Sequence, residues 1–155
     1  MQLHNRSIAL LAAALFVACG GSSSSGGDDA GEVNCQNDPR VLTYAPNVSV
    51  TSTAGGTKYA LVSSPAPPAK GNDTWTLHVT NASSGQPMAG LNLGIKTLMP
   101  DHGHGSPTTP AITDKGGGDY TVTPLYLFMP GVWQITFFPS ATPADTAAFM
   151  FCVQG

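Results

Sequence analysis

The chain has 155 residues, 41% of them hydrophobic and only 10% charged, with six Lys or Arg against nine Asp or Glu and a formal net charge of −3. That is long enough for one domain with a real core. Its few charges are scattered with no basic stripe, which argues against nucleic acid as a partner.

The first segment reads MQLHNRSIALLAAALFVACGG, with Arg6 in a short polar leader, an apolar run from Ile8 to Val17, and Ala18 before Cys19. This is the pattern of a secretory signal with a lipoprotein-type processing site, giving a signal peptide over residues 1–18. The apolar run is too short to span a bilayer, which takes about 20 residues. An uncleaved anchor or a plain signal peptide fits less well, because a cysteine stands where lipidation requires one. Cys19 is therefore the expected lipidation site, and the expected location is a bacterial cell envelope, lipid-anchored, on the periplasmic or cell-surface side. The membrane is then a partner through the anchor alone. Residues 19–32 continue as GGSSSSGGDDAGE after the cysteine, with almost nothing to bury. They read as a flexible tether with an end-to-end distance of roughly 20 Å. The folded domain is expected over residues 33–155.

With Cys19 assigned to lipid, Cys35 and Cys152 remain. Outside the cytoplasm two leftover cysteines most often form a disulfide, and closing so long a loop stabilises by roughly 4 to 5 kcal/mol on the chain-entropy argument. A thiolate metal pair or a redox couple is the weaker alternative, since C-x-x-C spacing is missing.

Along the domain, apolar and polar residues alternate with the strand period of two. Strands are expected at Val48 to Thr53 and Lys58 to Ser63. In TWTLHVT, Trp75, Leu77 and Val79 share one face, and Thr74, Thr76, His78 and Thr80 the other. In LNLGIKTLM, Leu91, Leu93, Ile95 and Met99 fall together, opposite Asn92 and Lys96. Asp119 to Leu125 follows; then, in GVWQITFF, Trp133, Ile135 and Phe137 lie opposite Gln134 and Thr136; Ala147 to Val153 closes the series. Turn signals separate the runs: AGG at Ala54 to Gly56, SPAPPAKGND at Ser64 to Asp73, SSGQPMAG at Ser83 to Gly90, DKGGGD at Asp114 to Asp119, and Pro130-Gly131. About seven short strands with this punctuation predict an all-β fold, an antiparallel immunoglobulin-like β-sandwich of two sheets. A small closed barrel is the alternative.

The chemistry-bearing stretch is MPDHGHGSP, from Met99 to Pro107, at the end of a predicted strand. In an extended backbone His102 and His104 point to the same side, and Gly103 and Gly105 let the chain bend until the two rings converge. Met99 adds a thioether, and Met129, in LFMPGVW at the start of another strand, offers a second. Two imidazoles with one or two thioethers suit copper, Cu(I) foremost, with Cu(II) held mainly through the imidazoles. Zinc would need Asp101 beside His102 and His104. Calcium and magnesium would want a cluster of oxygens, and the loop has a single carboxylate. An H-x-H pair in a glycine turn is by itself of low specificity, and Met99 and Met129 each fit a packing role equally well.

The pairing of MPDHGHGSP with the downstream GDYTVTPLYLFMPGVWQITF resembles the YtkA-like, or FixH-like, family of small extracytoplasmic β-sandwich domains. The matching residues are Met99-Pro100, His104-Gly105, Gly118-Asp119-Tyr120, and Met129-Pro130-Gly131-Val132-Trp133, within the stretch from Leu91 to Phe138. The resemblance implies copper as cofactor or cargo, held by Met99, His102, His104 and Met129, with a copper donor or acceptor protein as partner. Many relatives carry a second methionine where this chain has His102, so the donor set here is richer in nitrogen.

Trp75 and Trp133 sit on apolar faces and are expected in the core, Tyr120 at a sandwich corner, and His78 at the surface. No G-x-S-x-G and no placed pair of carboxylates offers an enzymatic site, so the chain is expected not to be an enzyme. Two functional readings stand: a membrane-anchored copper-binding carrier, buffer or metal-centre assembly factor, and a metal-free immunoglobulin-like interaction or structural module of the envelope.

Overall fold

The computed structural model of the chain describes residues 34–63 and 66–155. The expected signal peptide, Cys19 and the tether lie outside the described residues.

The alternating runs become strands: β1 (Val48–Thr51), β2 (Thr57–Ser63), β3 (Gly71–Asn81), β4 (Leu93–Leu98), β5 (Ala111–Gly116), β6 (Asp119–Leu127), β7 (Gly131–Pro139) and β8 (Ala147–Val153). They form two antiparallel sheets, β1-β2-β3-β6-β5 and β4-β7-β8. Setting β1 aside, β2-β3-β6-β5 and β4-β7-β8 follow the A-B-E-D and C-F-G order of a constant-type immunoglobulin sandwich. Two sheets that no ladder joins among the described residues exclude the closed barrel.

The period of two carries directly into the core. Trp75, Leu77 and Val79 from β3 are fully buried against Trp133, Ile135 and Phe137 from β7, and Phe149 and Phe151 from β8. Each such side chain contributes roughly 1.5–3 kcal/mol of burial. Rings interlock across the gap: Trp75 meets Phe151 edge-on at 5.8 Å, and Tyr59 stacks on Phe137 at 6.1 Å.

The strand count is eight rather than seven, because the polar run AITDKG pairs with β6 as an edge strand. An edge strand needs little burial, and only Ile112 in β5 is half-buried. The DKGGGD turn accordingly shrinks to Gly117-Gly118. Within β6, Pro124 stands where the β3–β6 register shifts, between the pairs Asp73↔Leu125 and Trp75↔Val122. A missing N–H is tolerated at such a bulge.

Two features fasten the small sheet, one at the entry to β4 and one on the outer face of β8. Tyr120 is buried, and its hydroxyl accepts from Leu91 N–H at 2.9 Å and donates to the Met88 carbonyl at 2.8 Å. It thereby pins the segment where the chain crosses from the large sheet to the small one. On the far side, Cys35 and Cys152 form a disulfide across 117 residues, Cα to Cα 5.3 Å. A strap from Cys35 to Tyr44 then runs along β8, with Leu42 N–H donating to the Met150 carbonyl at 2.8 Å. Val41 and Met150 pack around the disulfide with Val132. This explains why Cys152, on the outward face of β8, is nonetheless buried.

Candidate metal centre

Beyond β4 the chain does not stay extended. Met99 N–H donates to the His104 carbonyl at 2.7 Å, and the amides of His102 and Gly103 return to the Met99 carbonyl at 3.1 and 2.9 Å. The result is a closed turn with Gly103 at a φ of +70°, a left-handed conformation in which glycine is the low-cost residue. The alternation argument for the two histidines is corrected here: His102 is exposed at the turn and His104 is half-buried at its base. The turn itself brings the rings together, with centroids 5.6 Å apart and planes at 52°.

Gly105 follows, lying so close over the Thr97 carbonyl that no Cβ fits there. Ser106 N–H donates to Thr97 Oγ1 at 3.0 Å, fastening the loop back onto β4.

The second segment is the β6–β7 turn. Phe128 stacks on the His104 ring at 5.7 Å and meets Trp133 edge-on at 5.7 Å. Trp133 Nε1–H donates to the Met129 carbonyl at 2.8 Å, fixing that turn to β7. Met99 is fully buried in the core, and a Cβ placed on Gly131 would lie 2.8 Å from its Cε. The end of its side chain therefore lies against Gly131 in the Met-Pro-Gly turn. Met129 is half-buried and packs against the same core cluster. The two sequence segments singled out for their methionines and histidines thus meet at one end of the sandwich.

Asp101, the carboxylate a zinc site would need, is turned elsewhere. Its Oδ1 accepts from Arg40 Nη1 at 2.8 Å and its Oδ2 from Arg40 Nη2 at 2.9 Å. The same guanidinium holds Asp38 through Nε at 2.9 Å and Nη2 at 2.6 Å. These hydrogen bonds keep the Asp38 carboxyl down at about 2 and the Asp101 carboxyl below the ordinary carboxylate range. Among the described residues no three His, Cys, Asp or Glu side chains converge as a metal-binding group.

The other singled-out residues fall as expected on their faces: Trp75 and Trp133 are buried, and His78 lies on the outer side of β3, its Nδ1 2.6 Å from Asp119 Oδ1. Sequence reasoning missed Phe128 and Arg40. Phe128 had a local signal, since it directly precedes Met129. Arg40 had none, because its contact with Asp101 spans 61 residues.

A family model described as YtkA-like matches residues 51–138, a span that holds both the histidine loop and the Met-Pro-Gly turn. No curated protein and no solved structure matches the chain.

Proposed function

Since the chain belongs to the YtkA-like family, we propose that it is an extracytoplasmic copper-binding protein, tethered to a bacterial envelope membrane through Cys19, that carries, buffers or delivers copper to a metal centre. One observation carries the reading: two imidazoles 5.6 Å apart stand in the turn that Met99 opens, and the buried Met99 side chain ends against Gly131, so that two distant chain segments meet there. An ion-to-nitrogen distance near 2 Å, plus about 1 Å to each ring centre, puts two imidazoles on a shared ion at about 5–6 Å. The present separation fits that span. His102 and His104 would supply the nitrogens and Met99 or Met129 the sulfur. Soft thioether donors favour Cu(I), and the imidazoles also suit Cu(II). Copper supplies no chemistry to the protein on this reading; it is cargo, and the partner is a copper donor or acceptor protein.

A second reading has its own support. Met99 is fully buried, so it has a packing role that needs no metal, and the module would then serve protein contact or envelope structure. Titration of the full chain with Cu(I) against a competing chelator separates the two. The copper reading expects stoichiometric binding that the double variant His102→Ala, His104→Ala loses while its unfolding midpoint stays put. Unchanged affinity in that variant would refute the site, and binding no tighter than about 1 μM would favour the metal-free module.

A further inference from the structure

We infer that Arg40 sets the metal selectivity of the loop by withholding Asp101 from it, an inference that rests on reading His102 and His104 as a metal site. Asp101 directly precedes His102, and a carboxylate joined to two imidazoles is a donor set that binds zinc well. Both of its oxygens are instead engaged in a bidentate fork with the Arg40 guanidinium, at 2.8 and 2.9 Å. Such planar, two-point pairing is specific to arginine and is not reproduced by a lysine point charge.

The guanidinium is itself held in place. Asp38 grips its other edge through Nε and Nη2, and also accepts from the Arg40 backbone N–H at 2.9 Å. The strap carrying Asp38 and Arg40 is fastened on one side by the Cys35–Cys152 disulfide and on the other by Leu42 N–H on the Met150 carbonyl. Asp101 is thus pulled toward a fixed arm that belongs to neither the histidine loop nor the Met-Pro-Gly turn. What is left at the loop is nitrogen and sulfur, a set suited to copper and poor for zinc. The two-point geometry and the second carboxylate set this pair apart from exposed ion pairs that contribute nothing, and the arrangement decides which donors face the ion.

The test compares Zn(II) and Cu(I) affinities of the full chain, each by chelator competition, with Co(II) absorption as a spectroscopic probe of the ligand set. Arg40→Gln is expected to raise Zn(II) affinity by roughly fivefold and to leave Cu(I) affinity unchanged. The gain should vanish in the double variant Arg40→Gln, Asp101→Asn. Asp101→Asn alone, with Arg40 in place, should leave Zn(II) affinity where it was. The inference is overturned by a folded Arg40→Gln variant with wild-type Zn(II) affinity, by a gain that survives loss of the Asp101 carboxylate, or by a drop in Zn(II) affinity in Asp101→Asn alone. The last comparison stands even where Arg40 variants do not fold. Failure of the copper reading shows separately, as absence of Cu(I) binding by the wild-type chain.

Discussion

Gly105 carries more of the candidate centre than its size suggests. The chain must turn back over the Thr97 carbonyl at that point, and a Cβ would collide with backbone that has no rotamer to change. Gly105→Ala should therefore move the loop, lift His104 off Phe128, and cost about 1–3 kcal/mol in denaturant unfolding. An alanine variant with unchanged stability would mean the loop is looser than its hydrogen bonds imply. The residue types at this turn were legible in the sequence: histidines, methionines and flanking glycines stood together. Their geometry was not, because alternation along a strand was the available rule and the Met99–His104 backbone pairing that replaces it is a feature of the turn.

Among the elements, the strap and β8 lie outside the family span, and the strap lies outside the sheets as well. The match ends at residue 138, before β8 begins. The two cysteines were legible as a bridge from their number and the expected compartment, and the structure joins them. What they hold could not be read, since the arm from Cys35 to Tyr44 has no strand period and its contacts lie far along the chain. Replacing both cysteines by serine should lower unfolding free energy by up to about 4–5 kcal/mol on the chain-entropy argument, measured by urea titration of the oxidised wild type against the variant. A loss of under about 1 kcal/mol would show that the strap is held by Leu42 and Val41 without help from the covalent link. Strand β5 was illegible for the opposite reason. As an edge strand with one half-buried side chain it needs no apolar pattern, and its polar residues read as turn.

For the molecule as a whole, the alternating runs determined which residues form the core, and the sandwich followed because strands apolar on one side need two facing sheets to bury that side. The charge least suited to that interior is Asp73, which is buried at the start of β3. Burial raises its carboxyl above the ordinary value, an effect opposed by a hydrogen bond from the Ala69 backbone N–H. A raised folded value means the native state keeps a proton that the unfolded chain gives up near pH 4. Stability should therefore decline as pH rises through the unfolded value, and level off once the pH passes the folded one. Asp73→Asn should remove that component, flattening the dependence of unfolding midpoint on pH from 4 to 7. An identical slope in wild type and variant would remove Asp73 from the account. The functional claim at this scale is that two distant segments pool nitrogen and sulfur donors at one end of the sandwich. X-ray absorption on the full chain loaded with one equivalent of Cu(I) tests it most directly. A first coordination sphere containing both imidazole nitrogen and thioether sulfur is expected, with the nitrogen lost in the His102→Ala, His104→Ala variant. A sphere without sulfur, or one that the double variant leaves unchanged, would contradict it.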